Sequence, residues 1–300
     1  MTQNFADRLT SAVEKAGNPI VVGLDPHLAL LPDEFQVARD PHASRAERAE
    51  AVVSFLTGII EVCAGRVPAV KPQSAFFEVL GADGVRAFER VVQAAKAAGL
   101  IVVGDVKRGD IGSTAAAYAE ACLSGAETDI MCDAATVNPY LGTDSIQPFL
   151  DACERAGAGI YVLARTSNPS SAEFQTLNVD GATTLVDHVA DAISRWGEGL
   201  VGTSGWSSVG AVVGATHPDE LRRLRKRMPH TPFLIPGYGA QGGSAKDIAG
   251  AFDESGLHGA LVNSSRGILF AWQKETEAHW KDAAVRAIDA MRADLAAAFA

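Results

Sequence analysis

Ile101-Val102-Val103-Gly104-Asp105-Val106-Lys107-Arg108-Gly109-Asp110-Ile111 reads as a buried strand that ends in alternating charge. Residues two apart on a strand share a face, so Ile101, Val103, Asp105 and Lys107 point one way. The last two are an acid and a base, and Asp110 follows three residues later. Charges of alternating sign at the mouth of an apolar strand are costly unless they pair or do chemistry.

Working outward, seven more short apolar segments share this character: 19–26, 67–72, 134–139, 159–165, 209–215, 231–236 and 259–263. Helical patterns separate them over 44–64, 74–98 (with a break around Gly81–Gly84), 112–124, 143–156, 180–196, 218–228 and 244–255. A polar loop over 168–179 precedes the fifth of these helices. An N-terminal helix over about 3–16 closes at Gly17, and a C-terminal helix covers about 274–299. Eight short strands alternating with helices, without a break in composition, predict an α/β protein: a (β/α)8 TIM barrel forming a single domain over 1–300. The competing architecture is an open doubly wound sheet.

A chain of 300 residues suits one large core, and its 47% apolar and 21% charged content is that of an ordinary globular protein. The net charge of −10 argues against a nucleic-acid partner. It leaves room for a phosphorylated small molecule, which needs only a local cation or a helix N-terminus. Cys63, Cys122, Cys132 and Cys153 are scattered without a CxxC, so buried free thiols in a reducing compartment are expected. No signal-peptide pattern and no apolar run of membrane-spanning length is apparent, so a cytoplasmic location and no membrane partner are expected. The seven histidines are dispersed, with no HxH or HxxxH pair, and no metal site is expected. His27 and His217 lie just past strand ends.

Polar residues gather where strands end: Asp25, Lys71, Asp105 with Lys107, Asn138, Arg165 and Asn263. In a barrel these ends ring one mouth, where active sites sit. Asp105, Lys107 and Asp110 give a D-x-K-x-x-D spacing. A lysine held among carboxylates stays an ammonium, a poor Schiff-base nucleophile but a good proton donor and carbanion stabiliser. Ile235-Pro236-Gly237-Tyr238-Gly239-Ala240-Gln241-Gly242-Gly243-Ser244 follows the seventh strand and opens a helix, so its amides can wrap an anion. Asn263-Ser264-Ser265-Arg266-Gly267, after the eighth strand, supplies a cation beside it. Gly237, Gly239 and Gly242 also spell G-x-G-x-x-G, but the next strand lacks the acid a dinucleotide site needs.

Asp105-Val106-Lys107-Arg108-Gly109-Asp110-Ile111, with Thr114, resembles the diagnostic motif of the orotidine 5′-phosphate decarboxylase family. The supporting blocks are Gly23-Leu24-Asp25-Pro26, Val70-Lys71-Pro72, Thr166-Ser167-Asn168-Pro169, Pro236 through Gly243, and Asn263-Ser264-Ser265-Arg266. They fall in the family's order over roughly residues 15–270. The resemblance implies a barrel homodimer with active sites at the subunit interface. It implies conversion of orotidine 5′-phosphate to uridine 5′-phosphate and carbon dioxide, the last step of de novo pyrimidine synthesis, with no metal and no organic cofactor. By position, Lys107 would stabilise the C6 carbanion and protonate it. Asp105 would lie against the departing carboxylate and hold Lys107, and Lys71 would bridge this network to the ribose. Asp110 and Thr114 would reach the neighbouring subunit's site. Asp25 would bind ribose hydroxyls and Ser167 the pyrimidine. Gln241, Gly242 and nearby glycine amides would hold the phosphate with Arg266, under a closing loop. Ile111 and Pro236 complete the implied substrate-binding set. Extra length over 168–200 and 274–300 resembles the longer bacterial-type branch. Sugar-phosphate decarboxylases of the same suprafamily share the D-x-K-x-x-D spacing but use Mg²⁺.

Overall fold

A computed structural model describes residues 3–124, 132–216, 218–239, 244–275 and 279–299. Eight parallel strands follow one another in chain order, and the last pairs back to the first. They are β1 (Ile20–Leu24), β2 (Ala69–Pro72), β3 (Ile101–Arg108), β4 (Ala134–Val137), β5 (Gly159–Arg165), β6 (Val209–Val213), β7 (Phe233–Ile235) and β8 (Ala260–Ser264). The sheet is therefore a closed barrel rather than an open one.

Strand alternation sorts the apolar residues into two cores. Val21, Ala69, Ile101, Val103, Ala134, Tyr161, Val212, Leu234 and Leu261 fill the interior, so every strand contributes. Val22, Val70, Val102, Ala135, Ile160 and Val262 point outward into the layer shared with the helices. The first helix, α1 (Phe5–Ala16), closes the N-terminal end. Asn4 caps it by accepting from the Ala6 amide, and Gly17 ends it in the left-handed region at φ 65°. Its buried stripe, Phe5, Leu9 and Val13, joins the interior core. Phe5 takes the space a side chain would need at Gly159, where a Cβ would sit 2.2 Å from the Phe5 ring.

The outer layer follows as α2 (Arg45–Cys63), α3 (Ala75–Glu78), α4 (Gly81–Ala97), α5 (Gly112–Ala119), α6 (Thr143–Ala156), α7 (Ala172–Gln175), α8 (Leu185–Gly197), α9 (Pro218–Arg227), α10 (Ala245–Ile248), α11 (Arg266–Leu269) and α12 (Trp280–Phe299). Four helices differ from the sequence expectation. The one expected over 180–196 starts at Leu185. Asp180 instead folds a turn, accepting from the Ala182 and Thr183 amides, with Gly181 at φ 85°. The one expected over 244–255 is a single turn followed by a 3₁₀ turn, Ala249–Ala251. Gly250 weakens it there and lets the Arg222 stem lie against the backbone. The one expected over 112–124 widens into a π turn after Ala119. At the C-terminal end a 3₁₀ turn, Ala271–Lys274, precedes α12, which begins at Trp280. All four cysteines are free and buried, which pushes their thiol pKa values up. No helix among the described residues is long and apolar enough to cross a membrane.

Candidate active site

Counting inward positions from the core leads to the charges at the mouth. Ala69 faces in, hence Lys71; Ile101 and Val103 face in, hence Asp105; Ala134 faces in, hence Thr136. These side chains meet. Asp105 Oδ2 accepts from Lys71 Nζ at 2.6 Å, and Oδ1 accepts from Lys107 Nζ at 2.6 Å and from Thr136 Oγ1 at 3.0 Å. Lys71 and Asp105 are buried, whereas the Lys107 side chain is 48% exposed and reaches the opening. Burial alone would raise the Asp105 pKa; the Lys71 and Lys107 ammoniums overcome it and hold the carboxyl down at about 2. Burial likewise opposes the charge on Lys71, but Asp105 and Asp25 outweigh it and the pKa ends raised.

Lys107 does not simply continue the strand. Gly104 pairs with Ala135 and Arg108 with Val137, so β3 takes four steps where β4 takes two. Within this bulge Lys107 sits at φ 45°, and it is the one non-glycine residue with positive φ among the described residues. That conformation costs a residue with a Cβ about 1–2 kcal/mol. The amide N–H of Lys107 donates to Thr136 Oγ1 at 2.9 Å. Bulges of this kind re-aim side chains beside active sites.

On the β8–β1 side, Asp25 Oδ1, Asn263 Oδ1 and Ser265 Oγ are buried and have no hydrogen-bond partner among the described residues. Asn263 and Ser265 close on β1 where it is a glycine: a Cβ at Gly23 would come 2.8 Å from Ser265 Cβ and 3.1 Å from Asn263 Oδ1. Buried acceptors left unpaired carry a desolvation penalty that a ligand's hydroxyls can relieve.

Arg266 opens α11 directly after β8. Its side chain is exposed and has no ion-pair partner among the described residues. It borders a cavity of about 700 Å³ lined also by Tyr238, Gly239, Ser264 and Lys274. Pro236, at the end of β7, accepts from the Ala215 amide. Gln241 and Gly242 lie outside the described residues, as does His217. The loop amides over 240–243 expected to wrap an anion lie outside the described residues. Ser244 and Asp247 form a capping box on α10, the helix that follows this loop.

Arg165 departs from the expected ring of polar strand ends. β5 shifts register against β6 between Leu163 and Arg165, and the side chain is taken up by the segments that follow β5 and β6. It pairs with Glu220 at 2.6 Å and donates to Ser171 Oγ and the Thr166 carbonyl. Gln175 ties the Thr166 amide and hydroxyl, so the segment carrying Ser167 is braced from behind. Ser167 itself is half-buried and packs on Gly214, where a Cβ would come 2.9 Å from its own. Asn138 is exposed and accepts from the Tyr140 amide in a turn. His27 packs against Phe76 and Phe270.

Asp110 does not join the Asp105 cluster within its own chain. Its carboxylate accepts from the Ile111 amide at 2.8 Å. Ile111 is 54% exposed and Thr114 is exposed on α5. Among the described residues no three His, Cys, Asp or Glu side chains gather as a metal ligand set. Thr136 is the one member of the charged cluster that the sequence patterns did not single out, although its inward register on β4 follows from Ala134.

A closed (β/α)8 barrel whose mouth holds paired ammoniums and, among the described residues, unpaired acceptors and a guanidinium without an ion-pair partner has the form of a barrel enzyme. A model of the orotidine 5′-phosphate decarboxylase / HUMPS family matches residues 18–280, and the chain belongs to this family. Over 290 residues it is 47% identical to an orotidine 5′-phosphate decarboxylase of Rhodopirellula baltica, covering 93% of this chain and 94% of that one. The solved Leishmania donovani OMP decarboxylase is 34% identical, with a TM-score of 0.73, covering 97% and 99% of the two chains. A solved chain from Streptomyces avermitilis superposes with a TM-score of 0.81 at 35% identity, covering 100% and 97%.

Proposed function

We propose that this enzyme decarboxylates orotidine 5′-phosphate to uridine 5′-phosphate in pyrimidine biosynthesis, using side chains alone. The observation that carries this reading is the Lys71–Asp105–Lys107 array, with an ammonium 2.6 Å from each carboxylate oxygen. Loss of carbon dioxide breaks the bond from C6 to the carboxylate and leaves the electron pair on C6. An electron sink would ordinarily take up that pair. Here the fixed Lys107 ammonium stabilises it, and a proton passes from Nζ to C6. The resulting amine regains a proton from solvent. Charges held in place before the reaction cost no reorganisation during it, which is often the largest catalytic contribution. Asp105 fixes Lys107 and faces the departing carboxylate, and Lys71 neutralises Asp105. Asp25 takes ribose hydroxyls, its Oδ1 being buried without a partner among the described residues. Ser167 meets the pyrimidine, and Arg266 holds the phosphate with Gln241 and Gly242. Holding the remote phosphate orders the reacting end.

The working unit is a homodimer in which Asp110 and Thr114 complete the partner's site. Two observations support this. Asp110 forms no bond with Lys71, Asp105 or Lys107 of its own chain among the described residues. Ile111 beside it is 54% exposed, and Tyr140 and Leu141, after β4, are 87% and 47% exposed, apolar surface of the sort that partners cover. One experiment tests reaction and assembly together. Purified protein in EDTA should release carbon dioxide from orotidine 5′-phosphate. Lys107→Ala and Asp110→Ala chains, each inactive alone, should recover activity when mixed, because one site of the heterodimer is wild type. No turnover in EDTA that returns with Mg²⁺ on a sugar phosphate defeats the reaction. No recovery after proven subunit exchange defeats the shared site.

A further inference from the structure

Thr136 is 1% exposed on β4, in the layer directly above Ala134, and it touches both working ends of the neighbouring strand. Its hydroxyl oxygen accepts the Lys107 amide N–H at 2.9 Å, and its proton goes to Asp105 Oδ1 at 3.0 Å. Neither direction can reverse, since an amide only donates and a carboxylate only accepts. The same Asp105 oxygen takes the Lys107 Nζ. One hydroxyl therefore links the backbone of the proposed proton donor to the carboxylate that aims its side chain.

The link falls within the β3–β4 irregularity, between the paired positions Gly104–Ala135 and Arg108–Val137. It meets the one positive-φ non-glycine residue among the described residues. A strained backbone persists only where its surroundings over-determine it. Here the Thr136 hydroxyl supplies a side-chain bond at the strained amide itself. We infer that Thr136 is a positioning residue for decarboxylation: its hydroxyl locks Lys107 in the left-handed conformation and orients Asp105 toward it. This inference rests on the decarboxylase reading above. It gives the bulge a purpose, since the bond is made inside it.

The test compares Thr136→Val, which keeps the shape and loses the hydroxyl, with Thr136→Ser, which keeps the hydroxyl. The expected result is a fall in kcat of about 100-fold for Val, the size of a misaligned catalytic group, with KM within about threefold of wild type. Ser should return kcat to within about fivefold, at unchanged melting temperature. Should the Val protein fail to fold, Thr136→Ala against Thr136→Ser carries the same split. Wild-type kcat in Val, or an equal loss in folded Ser and Val proteins, overturns the inference. The crystal structure of Thr136→Val is independent of the substrate assay. Lys107 leaving positive φ supports the lock even if the wild type fails to turn over orotidine 5′-phosphate, and Lys107 staying at positive φ overturns it.

Discussion

At the N-terminal end of the barrel Arg8 of α1 meets Asp133, whose other oxygen accepts the Val102 amide at 2.9 Å. Asp7 accepts from the amides and hydroxyl of Thr203 and Ser204's turn. Asn18 bridges Ala16, Ile20 and Arg66. The Arg225 guanidinium donates to the carbonyls of Ala251, Met228, Thr231 and Gly259 and lies over the Phe233 ring at 3.8 Å. At the C-terminal end Asp25, Thr216, Asn263 and Ser265 each keep a buried oxygen without a partner among the described residues. There too Lys107 holds a strained backbone. The same eight strands feed both ends, so the contrast lies in what the polar groups are for. A satisfied network seals an end and stabilises the fold. An unsatisfied one costs stability and retains capacity for a ligand.

The largest expected effect separates the two ends at Lys107. Lys107→Ala should lower kcat by at least about 10⁴-fold, because it removes both a proton donor and a preorganised charge. The fold should lose little. The side chain is 48% exposed, and Asp105 keeps Lys71 and Thr136 as partners. Activity on orotidine 5′-phosphate and a thermal melt check both halves. A melting temperature lowered by ten degrees or more breaks the contrast, for Lys107 would then be part of the scaffold.

What the sequence made legible follows the same division. β5 lies at Gly159–Arg165 as its apolar run predicts, and period-two counting from Ile101 and Val103 puts Asp105 on the inner face. These are consequences of burial, which leaves a pattern in residue type. The conformation of Lys107 leaves no such pattern, because lysine is not a residue that signals positive φ. Arg165 looked like another mouth residue because its orientation depends on a one-residue shift against β6 that neighbouring residue types do not encode. The late start of α8 was readable in principle. Asp180-Gly181 is a turn signal, and Thr184 with Asp187 spells a capping box. Helical periodicity extended the segment past both. Thr136 needed only the inward count, but its significance came from a bulge on another strand.

A smaller effect is expected at Arg225, in the sealed end. Arg225→Met keeps much of the stem's packing and strands several carbonyls, so stability should fall by roughly 2–4 kcal/mol. Burial already pulls the guanidinium pKa down, against the attraction of the Asp253 carboxylate. Denaturant titration measures the loss. At a temperature where the variant is folded, kcat and KM should match wild type. A parallel drop in kcat would couple the two ends and remove the division of labour between them.

The smallest effect concerns the layer between the ends, at Tyr161. Its ring packs edge-on against Phe5, with centroids 6.2 Å apart, and lies where a Cβ at Gly210 would be. Its hydroxyl is buried without a partner among the described residues, and burial pushes the pKa up. The ring does the packing and the hydroxyl only carries a desolvation penalty, so Tyr161→Phe should leave stability unchanged or raise it by up to about 1 kcal/mol. Turnover should not change, because the Tyr161 ring packs on Phe5 and its hydroxyl makes no bond to Lys71, Asp105 or Thr136 among the described residues. A loss of stability on removing the hydroxyl would mean that the interior core is held by polar bonds as well as packing. The boundary between sealed floor and ligand-ready mouth would then run through the polar bonds of Tyr161 itself.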